Sequence, residues 1–155
     1  MAGERSWTRF WWLATLPLVR AGGGADHWRS SFGRVVAEAA FWAPAALLPQ
    51  HGVRWEAGAT PDLARAVVTH RGVEQRVEIA VAADGRPLWV AIDRWSNANA
   101  QRRWRLQRFG GTLGGFRSFG GYTLPTVVDG GNHFGSDDYF AFFRARVDDI
   151  RFVAP

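Results

Sequence analysis

Across the stretch Pro44–Gly52 the spacing of apolar residues changes from helical to alternating, and this limits the chain to a helix followed by sheet. Trp28, Phe32, Val35, Val36, Ala39 and Ala40 fall at successive separations of three, four or one, which puts them on one face of a helix over 27–41. Asp26 stands where an N-cap is needed, and Arg29, Arg34 and Glu38 lie off the apolar stripe. Proline lacks an N–H and clashes with the preceding turn, so Pro44 and Pro49 leave room only for a short helical stub. From Val53 the period is two. Val73, Gln75, Val77, Ile79 and Val81 share one face, opposite Glu74, Arg76 and Glu78, the pattern of a half-buried strand.

Turn chemistry divides the rest. Leu63 to His70 reads as a strand joined to the next through Arg71-Gly72. Ala83-Asp84-Gly85-Arg86 supplies a hairpin turn. In its partner strand Leu88, Val90 and Ile92 face one way and Trp89, Ala91 and Asp93 the other. A polar loop, Ser96–Gln101, precedes strands expected near 103–109, 113–119, 121–129 and 141–153. Glycine pairs at Gly110-Gly111, Gly114-Gly115, Gly120-Gly121 and Gly130-Gly131 are devices by which an antiparallel sheet curves. Phe143, Ala145 and Val147 share a face; Ile150 and Phe152 fall on the other parity, so a bulge is expected after Asp148-Asp149. The expected fold is α+β: a curved antiparallel sheet, a half-barrel of about seven strands, with one main helix packed on its concave face. A single domain over 1–155 is expected, with a lead-in strand and loop (1–24), the helix and stub (25–49) and a β-meander (50–155).

Composition removes several classes of chemistry. There is no cysteine, so disulfides and thiolate chemistry are excluded. All nineteen basic residues are Arg, so no lysine can form a Schiff base or serve a P-loop. No Gly-x-Ser-x-Gly elbow occurs, His27, His51 and His70 lack partners at metal-ligand spacing, and neither metal nor organic cofactor is expected. The net charge of +5 comes from Arg scattered among acids. The local cluster Arg102, Arg103, Arg105 and Arg108, interleaved with Trp104 and Phe109, reads as a solvated edge strand rather than a nucleic-acid footprint. The run Phe10–Val19 is too short to span a bilayer and holds Thr15 and Pro17; the expectation is a cytoplasmic protein.

Two blocks carry a family resemblance. One is Phe41-Trp42-Ala43-Pro44-Ala45-Ala46-Leu47-Leu48-Pro49 with Gly52-Val53-Arg54-Trp55; the other is Phe119-Gly120-Gly121-Tyr122-Thr123-Leu124-Pro125 followed by Phe134-Gly135-Ser136-Asp137-Asp138-Tyr139. Together they resemble a bacterial family of unknown function (numbered 6544, with 6920 as a relative), over Leu16 to Phe152. The resemblance implies a sheet like the half-barrels of bacterial lipoprotein-sorting proteins, which hold acyl chains between sheet and helix. It also implies a shorter chain than typical members, which would leave an exposed sheet edge or a homodimer interface.

Nine Trp and eleven Phe, each ring able to bury about 150–250 Å², exceed what a tidy core needs. Either the core is unusually aromatic, or some rings line a cavity or an interface. The leading expectation is a hydrophobic small molecule, lipid-like or polycyclic, in a pocket walled by Trp28, Phe32, Phe41, Trp42, Trp55, Trp89, Trp95 and Tyr122. Its polar groups would be Asp93, Arg94, Asn97 and His133. The alternative is a cofactor-independent enzyme of cyclase or isomerase type, with Asp93 or His133 moving a proton. For His133, with Asp137 and Asp138, ordinary turn chemistry stands beside that reading; for Asp93, a structural ion pair does. A third reading makes the aromatics an oligomer interface.

Overall fold

The computed structural model describes residues 7–12 and 16–152. An N-terminal hairpin, β1 (Trp7–Trp12) and β2 (Leu16–Gly22), leads into the one long helix, α1 (Ala25–Trp42). Two short 3-10 turns, Pro44–Leu47 and Pro49–His51, occupy the stub between the prolines. There follow β3 (Arg54–Ala57), β4 (Leu63–His70), β5 (Val73–Val81), β6 (Pro87–Ser96) and β7 (Arg105–Gly114). A small hairpin, β8 (Arg117–Phe119) and β9 (Tyr122–Leu124), precedes β10 (Val127–Asn132) and β11 (Phe140–Arg146). Seven strands form one antiparallel sheet in the order β11-β10-β7-β6-β5-β4-β3. The sheet is open, and α1 packs across one of its faces, mainly on β6 and β5.

The turns follow from local chemistry. Arg71 and Gly72 both adopt positive φ, 51° and 76°, the two-residue geometry whose twist matches a hairpin. Gly120 and Gly121, at 53° and 88°, close β8 onto β9 the same way. Along β5 the expected alternation holds: Gln75, Val77 and Ile79 are buried, while Glu74 and Arg76 face water.

Three expectations are corrected. The helix begins on Gly24, and Asp26 sits inside the first turn, where its charge still suits the positive end of the helix dipole. The buried face of α1 is Ser30, Gly33, Val36, Ala37, Ala40 and Phe41, whereas Val35 is 57% exposed. Small residues lie against the sheet because they let the two backbones approach. A Cβ built on Gly33 would stand 2.7 Å from the Gln75 amide oxygen and 3.5 Å from Ile92. Gln75 uses that space: its side-chain N–H donates to the Arg76 and Asp93 carbonyls at 2.9 and 3.3 Å. Third, Gly110-Gly111 and Gly130-Gly131 do not separate strands. They lie within β7 and β10, paired with each other across the ladder, and the bulge falls between Gly130 and Gly131, not after Asp149.

The helix-free face carries a charge ladder. Glu78 lies directly across from Arg65 and accepts from its Nε at 2.9 Å; Arg108 donates to the other carboxylate oxygen. Burial alone would raise the Glu78 pKa, but the hydrogen bonds from Arg108 and Arg65 outweigh it and hold the carboxyl below its ordinary value of 4.5. A depressed carboxylate stabilises the fold fully above its unfolded value, and the contribution disappears as pH falls through the folded value. Glu78→Gln should therefore cost about 1–2 kcal/mol at neutral pH, measured by urea denaturation. The gap from wild type should shrink progressively as the pH is lowered below 4.5.

Candidate functional site

Because α1 leans onto β5 and β6, the same face of β7, β10 and β11 is left without a helix over it. The result is a groove of about 660 Å³ between one flank of α1 and these strands. Ladder register identifies the side chains that share its floor: Val90 lies opposite Gly111, which lies opposite Gly130, which lies opposite Phe143. Two of these four positions have no side chain, and this is what gives the groove depth. Phe41 closes the helix side; Phe109, Val128, Phe142 and Trp104 complete the apolar wall. The Phe109 and Phe142 rings pack 6.1 Å apart.

The charged groups on this wall are Arg34, Glu38 and Arg94, and His27 adds an imidazole. Arg34 and Glu38 pair with each other at 3.3 Å, one helical turn apart. Arg94, from β6, donates Nε–H to the Ser30 hydroxyl at 3.2 Å and lays its guanidinium 5.3 Å from the centre of the Phe109 ring. Burial pulls its pKa below the ordinary value and nearby Arg34 adds to this, with Glu38 opposing; the group still stays protonated.

Of the residues expected from the sequence, the groove brings together Phe41, Arg94 and Asn97. The others are placed elsewhere. Trp28 and Phe32 stack at 5.6 Å on the opposite flank of α1, against His70 of β4. Trp42 donates to the Pro125 carbonyl at 3.2 Å and Trp55 to the Leu47 carbonyl at 2.9 Å; both rings anchor chain segments. Trp89 is on the helix-free face, against Phe134. Trp95 donates to Asp26 at 2.7 Å beneath the Arg29 guanidinium, tying the start of α1 to the end of β6. Tyr122 is half exposed and packs on Phe152.

Asp93 lies one residue out of phase with Ile92 and so on the helix-free face, 66% exposed and 4.0 Å from Arg108. The expectation that its carboxylate enters the concavity is therefore corrected. His133 is exposed at φ 59°, and its carbonyl accepts from the Ser136 amide and hydroxyl at 3.1 and 2.8 Å, which is turn chemistry. The ladder sets Arg108 between them: it pairs with Asp93 in register, and its carbonyl accepts from the His133 amide at 2.8 Å. Among the described residues, no group of three His, Asp or Glu side chains is arranged to hold a metal ion, and no helix is long and apolar enough to cross a membrane.

The groove residues that sequence reading missed are Phe109, Phe142, Phe143, Trp104, Val128 and the two floor glycines. Alternation along 107–113 was the available signal. The Gly110-Gly111 pair hides it, since neither residue carries a side chain to mark a face.

Fold and groove together define an α+β protein in which, among the described residues, one long helix lies off-centre on an open antiparallel sheet. The chain belongs to the family of unknown function DUF6544, whose profile matches residues 1–145. No curated protein and no solved structure matches it.

The contrast between anchoring and surface residues is measurable. Trp42→Phe keeps the ring but loses the bond to Pro125 and should cost about 1 kcal/mol. Asp93→Asn should stay within about 0.5 kcal/mol of wild type. Both are read from urea denaturation midpoints.

Proposed function

We propose that this protein is a binding module for a hydrophobic small molecule of lipid-like character, held in the groove between α1 and the β7-β10-β11 part of the sheet. The observation that carries the reading is the groove itself. A volume of about 660 Å³ falls within the range of about 300–1,000 Å³ common to ligand sites. Most of its wall surface is apolar, and its charged side chains are Arg34, Glu38 and Arg94. A glycine floor in strand register serves ligand entry better than it serves packing, since glycine within a strand weakens it.

The floor also supplies the test. A Cβ on Gly130 would meet only ordinary contacts, 3.4 Å to the Gly110 carbonyl and 3.7 Å to Phe143. Gly130→Val is therefore expected to fold while filling the groove. It should lower affinity for a neutral apolar reporter such as phenylnaphthylamine by about tenfold or more, a loss of about 1.4 kcal/mol, in a fluorescence titration. Gly111→Ala is the contrasting control. Its Cβ would stand 2.6 Å from the Asp129 carbonyl and 2.8 Å from the Gly130 Cα, backbone that cannot yield, so it should destabilise by about 1–3 kcal/mol. Unchanged reporter affinity in folded Gly130→Val would remove the groove as the site.

One observation favours a second reading, self-association through the sheet edge. β11 is an edge strand, and its Phe140 and Phe142 are 66% and 52% exposed. Unprotected apolar edges invite strand pairing. On that reading the mass seen by sedimentation should rise from monomer to dimer across micromolar concentrations, and Phe142→Lys should return it to monomer. A wild-type monomer throughout that range would sink it.

A further inference from the structure

We infer that the groove's occupant is a single-chain amphiphile with an anionic oxygen head group, carboxylate or phosphate, and that Arg94 is the residue that holds the head. This rests on the binding reading above and names the ligand class for the same site.

The basis is the charge balance of the wall. Arg34 and Glu38 neutralise each other at 3.3 Å. Arg94 has no such contact: among the described residues no carboxylate lies within the 4.0 Å of an ion pair, Glu38 acts on it only from further away, and its one side-chain hydrogen bond goes to Ser30. That bond uses Nε alone. The terminal nitrogens, which form the flat fork that matches a carboxylate or phosphate, are left to the groove. The guanidinium is half-buried, with its face on Phe109. The ring is attracted to the cation, but it does not replace a counter-charge. A partly desolvated cation without an acid is costly to hold, and an anionic ligand would remove that cost on binding.

The placement also suits an amphiphile. Arg94 is near the end of β6, beside Ser30, His27 and Asn97, whereas Val90, Val128 and Phe143 lie further into the sheet. The unpaired guanidinium therefore stands at one end, and the apolar floor extends away from it past the mutually paired Arg34 and Glu38, an arrangement with room for a head and a tail.

Three ligands of equal chain length separate the claims: hexadecanoate, hexadecyl phosphate and hexadecanol, each competing with phenylnaphthylamine for the wild-type chain. One or both anions should displace the reporter at least about tenfold more effectively than the alcohol, and which anion is stronger decides between carboxylate and phosphate. Arg94→Met, which keeps the length of the side chain without charge, should bring anions and alcohol to parity; Arg94→Lys should keep part of the preference. The wild-type comparison stands even if a variant fails to fold. Equal binding of all three by the wild-type chain overturns the anion anchor and leaves the apolar groove intact. Failure of all three to compete overturns both the anchor and the binding reading.

Discussion

The close approach of α1 to β5 and β6 is the constraint on which the rest of the molecule depends. Ser30, Gly33, Ala37 and Ala40 allow it, and Gln75 fills the little space that remains. A helix drawn that near to two strands of a seven-stranded sheet cannot also cover the others. On one flank the Trp28, Phe32 and His70 rings seal the gap above β4. The other flank has no equivalent, and the groove is the consequence.

The two faces of the sheet use charge in opposite ways. On the helix-free face, carboxylates and guanidinium groups meet across strands, Arg65 and Arg108 on Glu78 and Arg54 on Glu74, and along one strand, Arg76 on Glu74. Such pairs are individually weak where water screens them, but they keep that face wet and unattractive to a second layer. On the helix face the one carboxylate of the groove wall, Glu38, pairs with Arg34, and Arg94 stands without a contacting acid in a wall whose surface is mostly apolar. The excess positive charge of the chain is therefore less informative than the location of one guanidinium.

The first half of the β-meander was legible in the sequence because alternation and turn chemistry act over a few residues. After Ser96 the expected boundaries fail: 105–114 is one strand across Gly110-Gly111, and 117–119 with 122–124 form a separate hairpin. β4, β5 and β6 fall where period and glycine placement put them, and Arg71-Gly72 and Gly85 turn the chain as expected. The helix was legible in extent but not in orientation. The apolar period places Trp28, Phe32 and Val35 on the buried face, whereas close packing put Ser30, Gly33, Ala37 and Ala40 there with Val36 and Phe41. The site was partly legible. Arg94, Asn97 and Phe41 are in the groove, yet most of the aromatic rings named from the sequence are anchors or surface residues. Trp42 and Trp55, in the segment that carries the family resemblance, bind backbone carbonyls, so that segment records how the helix end is tied to the sheet.

By itself the sequence determined the α+β class, the helix followed by the strands up to β6, and the exclusion of cysteine and lysine chemistry. These are properties of residue type and short-range period. Only the tertiary structure decided which face of α1 is buried, that Gly111 and Gly130 lie side by side, that Asp93 and Arg94 part to opposite faces, and that Arg94 stands at a groove. Each of these depends on strand register and on how closely two elements approach, and both are fixed by contacts between residues far apart in the chain.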